Sequence, residues 1–215
     1  MVKNVSEENN YTTPQEAFWA GVFGSEYIGR NDSDQLLASN LNFFTKALNQ
    51  AGRISSCLEL GANIGMNLKA LQLLYPGIEL KGVEINADAA KLLVKLIGEE
   101  NAYLGSIFDY PISNKVDLTL IKGVLIHINP EMLSVVYEKL YQASKKFILV
   151  CEYYNPSPVT ISYRGHTDCL YKRDFAGEML EKYRDLRLVD YGFVYRRDPA
   201  FPQDDITWIL MEKRT

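Results

Sequence analysis

Two glycines and an acidic residue stand at a spacing that could bind a nucleotide-type cofactor. Residues 58–65 read LELGANIG, so that Gly61 and Gly65 punctuate a turn after an apolar strand. Gly61 lets the chain turn sharply, and Gly65 lets a helix and a ligand approach closely. Glu84 ends the next predicted strand, 19 positions beyond Gly65. A carboxylate there can accept hydrogen bonds from both hydroxyls of an adenosine ribose.

The same turn fits a nicotinamide dinucleotide poorly. That cofactor requires G-x-G-x-x-G, whereas Asn63 stands in place of the central glycine. Asn63 has a second interpretation, as an asparagine that tolerates a left-handed backbone in an ordinary strand-to-helix turn. A nicotinamide-linked oxidoreductase is therefore the disfavoured alternative.

The pattern E-x-G-x-x-x-G, which begins at Glu59, resembles the first motif of class I S-adenosylmethionine-dependent methyltransferases. In that family the turn passes around the amino acid end of the cofactor, and the acidic residue of the second strand holds the ribose. The resemblance implies S-adenosylmethionine as cofactor and S-adenosylhomocysteine as product. The cofactor-binding residues that it implies in this part of the chain are Glu59, Gly61, Asn63, Gly65, Glu84 and Ile85.

Strands and helices alternate along the chain, as they do in a parallel sheet covered on both faces. The predicted strands are 54–60, 79–85, 102–106, 116–123, 145–153, 186–196 and 206–214, and the predicted helices are about 33–50, 65–75, 87–98, 130–143 and 173–183. No helix separates the last two strands, which resembles the class I methyltransferase sheet, where the last strand inserts beside the fifth. We expect an α/β, Rossmann-like fold with a seven-stranded, mostly parallel sheet, an antiparallel last strand and helices on both faces. A single domain is expected over 1–215, with 1–12 flexible and 13–50 forming an N-terminal helical lid.

Longer segments resemble the pseudaminic acid biosynthesis-associated methyltransferases, which occur with bacterial nonulosonic acid and surface-glycan genes. The similarity extends from about Thr13 and is carried by 18–31, 122–133, 152–180 and 188–213. It implies methyl transfer to an oxygen or nitrogen of a sugar acid or a nucleotide-activated sugar. Two alternatives stay open: a methyltransferase for another small molecule, and a cofactor-binding partner protein without catalytic activity.

The resemblance also implies that the segment before the first strand folds over the cofactor. Trp19, Tyr27 and Arg30 are then candidates for the lid, with Arg30 paired to the cofactor carboxylate. Aromatic faces near a sulfonium attract it by cation–π interaction. The alternative is that Phe18, Trp19 and Phe23 form the apolar stripe of a docking helix.

Further cofactor contacts are implied after the third and fourth strands. Ser106 and Ile107 occupy the place where class I enzymes hold the adenine, while Asp109 is as readily a turn residue. Lys122 and Gly123 close the fourth strand under the methionyl part of the cofactor. A backbone carbonyl there is a candidate partner for the cofactor ammonium.

His127 follows the fourth strand and is the candidate catalytic base. A neutral imidazole at this place could accept the proton of an acceptor hydroxyl as its oxygen attacks. The alternative is a packed histidine that caps the following helix.

Candidate acceptor-binding residues follow the fifth strand. Arg164 could grip a carboxylate or phosphate bidentately, which predicts an anionic acceptor. A solvated charged loop is the alternative. The full set of predicted acceptor-binding residues is Glu152, Tyr153, Tyr154, Tyr163, Arg164 and His166.

Composition excludes several other classes. The formal net charge is −4 and no long basic stripe occurs, which argues against nucleic acid as a partner. Cys57, Cys151 and Cys169 show no C-x-x-C spacing, so neither a disulfide framework nor a metal site is indicated. No apolar run approaches a membrane span and the start of the chain lacks a secretory signal, so we expect a cytosolic protein without a membrane partner. The oligomeric state does not follow from the sequence.

Overall fold

A seven-stranded sheet organises the chain in the computed structural model, which describes residues 11–30, 33–163 and 166–214. The strands follow the order β3-β2-β1-β4-β5-β9-β8. Their bounds are β1 Ser56–Leu60, β2 Glu79–Glu84, β3 Ala102–Leu104, β4 Val116–Lys122, β5 Ser144–Glu152, β8 Leu186–Val194 and β9 Ile206–Lys213. The first five strands pair in parallel, whereas β9 is antiparallel to both β5 and β8. The predicted sheet, with its last strand inserted beside the fifth, is confirmed.

Helices cover both faces of this sheet, as predicted. Their bounds are α1 Pro14–Ala20, α2 Val22–Tyr27, α3 Asp34–Ala47, α4 Met66–Leu74, α5 Ala87–Ile97, α6 Leu133–Ala143 and α7 Phe175–Lys182. Short 3₁₀ turns occupy Ile28–Arg30, Glu99–Asn101, Leu125–His127 and Pro130–Met132. The predicted helix at 130–143 therefore begins as a 3₁₀ turn. None of the described helices combines the length and apolar character needed to cross a membrane.

Two hydrophobic cores hold the helices to the sheet. One core contains Phe44 of α3 and Leu71 of α4, and the other contains Val136 of α6 and Phe175 of α7. All five residues of β1 are buried, because helices lie over both of its faces. Burial of each large apolar side chain contributes roughly 1.5–3 kcal/mol, so the cores position the strand ends firmly.

A two-stranded hairpin occupies part of the chain between residues 153 and 173, where the sequence predicted no strand. Strand β6, Val159–Tyr163, pairs antiparallel with β7, His166–Lys172. The segment VTISY does alternate apolar and polar residues with the period of a strand. The prolines before it and the charged groups around it obscured that pattern.

The described cysteines are buried free thiols. Cys57 and Cys151 lie in β1 and β5 and make no disulfide. The side chain of Cys169 lies outside the described residues. No group of three metal-ligating side chains occurs within the described ranges.

Candidate functional site

A large cavity lies at the carboxyl edge of the parallel strands, where ligands bind in open α/β sheets. Its volume is about 250 Å³, and its mouth is open to solvent. Ligand sites commonly enclose about 300–1,000 Å³, so this cavity is close to the small end of that range. Its walls come from the ends of β1, β2 and β4, the segment after β3, and the N-terminal helices.

The turn after β1 adopts a left-handed backbone at several positions. Gly61 has φ 78°, Gly65 has φ 86°, and Asn63 has φ 50°. The amides of Gly61 and Ala62 both donate to the carbonyl of Val83 at 2.9 Å, which ties the turn to β2. A Cβ at Gly61 would lie 2.5 Å from a methyl of Val124. The turn therefore requires glycine for close packing, and Asn63 has the left-handed backbone that its alternative interpretation predicts.

Glu84 lines the cavity and is held by backbone donors. One carboxylate oxygen accepts from the amide of Asn63 at 2.7 Å, and the other accepts from the amide of Asn86 at 2.7 Å. Burial raises the pKa of Glu84, and these two hydrogen bonds oppose the rise. A carboxylate has about four acceptor positions, so capacity remains for two ligand hydroxyls. Ile85 also lines the cavity, next to Glu84.

Asn86 joins this strand end to the N-terminal helices, and the sequence analysis missed it. Its side-chain oxygen caps α5 by accepting from the amides of Asp88 and Ala89 at 3.0 and 3.1 Å. Its side-chain nitrogen donates to a group of acceptors at 3.2–3.3 Å, which are the carbonyls of Trp19, Ala20 and Gly21 and the hydroxyl of Ser25. An asparagine before a helix signals the cap, but nothing in the sequence reveals the second set of bonds.

Trp19 packs against His127 inside the cavity. Their ring centroids are 4.7 Å apart with an interplanar angle of 56°. Trp19 also makes edge contacts with Phe23 and Tyr27, at 5.3 and 5.4 Å. Trp19, Tyr27 and His127 all line the cavity. Trp19 thus fits both interpretations, since it packs within the N-terminal aromatic cluster and faces the ligand space.

Glu152 holds the loop that carries His127 and does not line the cavity. The side chain is 3% exposed, and one of its oxygens accepts from the amides of Val124 and Leu125 at 2.9 Å each. Burial raises the pKa of Glu152 to about 7, and the backbone hydrogen bonds oppose the rise. The geometry gives Glu152 a positioning role in place of the predicted contact with an acceptor.

Among the other predicted acceptor-binding residues, Tyr153 and Tyr154 have described side chains, and neither lines the cavity. The Tyr153 ring lies under the ammonium of Lys172, which is 5.1 Å from the ring centroid, and Tyr154 is 46% exposed beside a small surface depression. Tyr163 and His166 pair across the hairpin. Arg164 lies outside the described residues, as do the side chains of Tyr163, His166 and Arg30.

Glu59 and Gly65 lie behind the cavity wall. A Cβ at Gly65 would meet a methyl of Leu96 at 2.7 Å, so this glycine allows α5 to pack closely. Glu59 is fully buried, and one of its oxygens accepts from the side-chain amide of Asn67 at 2.6 Å. Its other oxygen has no partner among the described residues. Burial raises the pKa of Glu59 to about 8, so the carboxyl is mostly protonated at neutral pH.

Lys122 and Gly123 reach the cavity at the end of β4. The Lys122 ammonium lies 5.7 Å from the ring centroid of Phe43, and burial lowers its pKa while nearby acidic groups oppose this. The amide of Gly123 donates to the carbonyl of Cys151 at 2.9 Å. Both residues line the cavity.

Ser106 and Ile107 line the opposite end, after β3. The Ser106 hydroxyl accepts from the amide of Phe108 at 3.0 Å, and Phe108 also faces the cavity. Asp109 is not among the lining residues, and its amide donates to the carbonyl of Ser106 at 3.2 Å. Asp109 is therefore a turn residue, the alternative given above.

Neither the protein-family models nor the curated protein sequences gave a match to this chain. Solved structures do match. The 1,6-didemethyltoxoflavin-N1-methyltransferase of Burkholderia thailandensis, with 1,6-didemethyltoxoflavin and S-adenosylhomocysteine bound, superposes with a TM-score of 0.69 and 16% identity over 95% of this chain and 92% of its own. Magnesium protoporphyrin IX methyltransferase of Synechocystis PCC 6803, with S-adenosylmethionine bound, has a TM-score of 0.67 and 11% identity, over 96% and 100%. An S-adenosylmethionine-dependent methyltransferase of Leishmania major has a TM-score of 0.68 and 16% identity, over 93% and 80%.

These structures share the architecture described above across nearly the whole chain. The fold is therefore the Rossmann-like fold of class I methyltransferases, as predicted. At such low identity the likeness shows the fold alone, and the chemistry has to be argued from the cavity.

Proposed function

We propose that this protein is an S-adenosylmethionine-dependent methyltransferase that acts on a small molecule. The observation that carries the proposal is the pairing of Glu84 with the glycine turn across one cavity. The amide of Asn63, at the top of the turn, donates to the Glu84 carboxylate at 2.7 Å. This bond holds the carboxylate beside the turn, which supports its proposed role as the shared acceptor of two ribose hydroxyls. Related folds crystallised with S-adenosylmethionine or S-adenosylhomocysteine bound support the same cofactor.

The residues present fit this cofactor along its length. Ile107 and Phe108 line the cavity and would provide an apolar surface for the adenine, and Glu84 would accept from the ribose hydroxyls. Gly61 leaves the turn without a side chain where a ligand must pass close to the backbone, and the carbonyl of Lys122 or Gly123 is a partner for an ammonium. When bound, the cofactor supplies an electrophilic methyl group.

The chain's own contribution is to orient the reactants and to hold a proton acceptor nearby. Most of the acceleration in such a transfer comes from placing the two reactants in a near-attack arrangement. His127 lies in the cavity wall, and Glu152 holds its loop through backbone amides. We assign His127 as the group that takes the proton of an attacking hydroxyl or amine. Trp19, whose ring is tilted against that of His127, covers one side of the imidazole.

For the acceptor we propose a sugar acid of the nonulosonic type or a nucleotide-activated sugar, methylated on oxygen or nitrogen. The support is the sequence resemblance over 18–31, 122–133, 152–180 and 188–213. Another small-molecule acceptor is the second candidate, since the cavity itself is compatible with many shapes. A non-catalytic cofactor-binding protein is the third, and it requires His127 to be dispensable.

Titration calorimetry tests the cofactor assignment. S-Adenosylhomocysteine should bind the wild-type protein and raise its melting temperature, whereas NADH should do neither. Glu84→Ala should weaken binding by about 10- to 150-fold, because hydrogen bonds to a charged group contribute roughly 1.5–3 kcal/mol. Glu79→Ala, at the exposed start of the same strand, is the matched control. Wild-type affinity in a folded Glu84→Ala variant would refute the assignment.

Labelled methyl transfer tests the reaction. The protein is incubated with labelled cofactor and separate pools of sugar acids, nucleotide sugars and small amines. Label in a sugar acid or nucleotide sugar supports the first acceptor class, and label in another pool replaces it with the second. Binding of cofactor without transfer to any pool would favour the non-catalytic alternative.

A further inference from the structure

The cavity extends well beyond the strands that the proposed cofactor site uses. Its far wall consists of Asn40 on α3 and of Gln203 and Asp204 in the connection from β8 to β9. We call these three residues the Gln203 lobe. In the sheet order β9 is four strands from β2, which carries Glu84. At a strand spacing of about 4.8 Å, β9, which begins just after Gln203 and Asp204, lies roughly 19 Å from β2.

Gln203 presents a buried acceptor that the protein leaves unused. The side chain is 8% exposed and lines the cavity. Its amide nitrogen donates to the side-chain oxygen of Asn40 at 3.1 Å, and Asn40 is itself 1% exposed. This bond sets the orientation of the amide, and the Gln203 oxygen has no hydrogen-bond partner among the described residues. A buried acceptor without a donor is unfavourable, so a ligand that brings a donor to this oxygen gains affinity.

The negative charge around the lobe favours a ligand whose hydrogen-bond donor is a cation. Three carboxylates among the described residues line the cavity, those of Glu16, Glu84 and Asp204, against the single ammonium of Lys122. Glu16 is used in the cap of α1 and Glu84 by backbone amides. Asp204, next to Gln203, makes no hydrogen bond or ion pair in the described part of the chain, although it interacts electrostatically with Lys122.

Lys122 is the one ammonium among the described residues that lines the cavity, and it interacts electrostatically with Asp204. Its ammonium also lies against the ring of Phe43 in the layer of α3, and Asp204 and Glu152 are among the groups that favour its charged form. A second cation near Asp204 would meet a carboxylate and an amide oxygen, against the repulsion of the Lys122 charge.

We infer that the Gln203 lobe binds a primary ammonium group, with the Gln203 oxygen accepting one N–H and Asp204 balancing the charge. The inference rests on the proposed function and narrows the ligand that the site takes. Such a group has two sources in a methyltransferase cavity, an amino group on the acceptor and the amino acid end of the cofactor. The distance from Glu84 favours the acceptor, which would then be an amino sugar or another amine.

Two pairs of probes separate these sources. Glucosamine and glucose differ by an ammonium, and their binding to the protein is measured by ligand-observed NMR with and without S-adenosylhomocysteine. S-Adenosylhomocysteine and 5′-methylthioadenosine differ by the amino acid end, and their binding is measured by calorimetry. The variants are Gln203→Met, which keeps the size but removes the acceptor, Gln203→Glu, which keeps an acceptor, and Asp204→Asn. Gln142→Met on the exposed side of α6 is the matched control.

The expected result is that wild-type protein binds glucosamine more tightly than glucose. Gln203→Met should weaken glucosamine binding at least about tenfold, as expected for a lost hydrogen bond to a charged group. Gln203→Glu should retain it, Asp204→Asn should reduce it, and glucose binding should not change. A selective loss of S-adenosylhomocysteine over 5′-methylthioadenosine affinity in Gln203→Met would support the lobe with the cofactor as its source.

Equal binding of glucosamine and glucose, together with unchanged nucleoside affinities in Gln203→Met, would overturn the inference. The same holds if Gln142→Met reproduces the effects of Gln203→Met. Failure of the proposed function looks different, because S-adenosylhomocysteine would then not bind the wild-type protein. The glucosamine titration without nucleoside remains readable in that case.

Discussion

Asn86→Asp should open the N-terminal helices without disturbing the helix that Asn86 caps. The substitution retains the side-chain oxygen that accepts from the amides of Asp88 and Ala89. It replaces the nitrogen that donates to the carbonyls of Trp19, Ala20 and Gly21 with an oxygen that repels them. A carboxylate is also favourable at a helix N-terminus. The variant therefore isolates the link between β2 and the N-terminal helices.

The size of the effect follows from the hydrogen-bond count. The amide has two N–H hydrogens, shared among four acceptors at 3.2–3.3 Å. At about 0.5–1.5 kcal/mol each, their loss removes about 1–3 kcal/mol from the closed arrangement. If the cofactor binds only that arrangement, its dissociation constant should rise by about 5- to 150-fold.

Calorimetry with S-adenosylhomocysteine measures this change, and tryptophan fluorescence measures the opening directly. Trp19 and Trp208 are the two tryptophans of the chain, so a Trp208→Phe background leaves Trp19 as the reporter. Loss of its packing on His127 should shift the emission to longer wavelength. Asn49→Asp, on the exposed turn after α3, is the control. Wild-type affinity and emission in Asn86→Asp would show that these bonds do not hold the helices in place.

Three other substitutions test separate parts of the site. Glu59→Gln should make the stability of the protein less dependent on pH. Burial raises the folded-state pKa of Glu59 to about 8 from an ordinary value of 4.5, so the wild-type protein should lose stability as the pH rises from about 5 to 8. Thermal unfolding across that range should show a smaller loss of stability in the variant. A pH-independent wild-type melting temperature would contradict this. Gly61→Ala should destabilise the protein by about 1–3 kcal/mol more than Gly77→Ala, as measured by urea unfolding. The two glycines have similar φ values, 78° and 83°, so the backbone strain is similar. Of the two, only Gly61 would bring a Cβ against a side chain, 2.5 Å from a methyl of Val124. Equal losses of unfolding free energy in the two variants would show that close packing against Val124 is not the reason that position 61 requires glycine. His127→Ala should lower the turnover of an identified acceptor by about 10²- to 10⁴-fold and leave the cofactor affinity unchanged. The rate of the wild-type enzyme should rise with pH through a single ionisation. If His127→Ala turns over the acceptor at the wild-type rate, His127 is not the proton acceptor.

The fold was predictable because its strands are long, apolar and separated by amphipathic helices. Glu84 and the turn at Gly61 could be placed from spacing alone, since a turn and the next strand end meet at one edge of a parallel sheet. The hairpin of β6 and β7 was missed, because its short alternating strands follow prolines and include charged residues. The element bounds differ by one to three residues, as at β1, predicted from residue 54 and observed from Ser56.

The parts of the site that could not be predicted depend on contacts between residues far apart in the chain. Gln203 and Asn40 are 163 positions apart, and nothing in their local sequence indicates that they share a wall of the cavity. Glu152 was predicted to bind the methyl acceptor because it ends a strand at the edge of the sheet where ligands bind. The predicted position of the residue in the fold is correct. Its orientation was decided by the backbone amides after β4, which offered a buried carboxylate better partners than the cavity did.

Two buried polar side chains fix the two segments that form the cavity walls beside Trp19 and His127. Asn86 fixes α1 and α2 to the end of β2, and Glu152 fixes the loop after β4 to the end of β5. The two segments meet where Trp19 packs on His127. Neither Asn86 nor Glu152 needs to contact a ligand, yet Asn86 sets the position of the Trp19 ring and Glu152 that of the His127 ring. The side chains that shape the reaction space are therefore positioned by residues whose own hydrogen bonds are satisfied within the protein, which is the condition for a preorganised site.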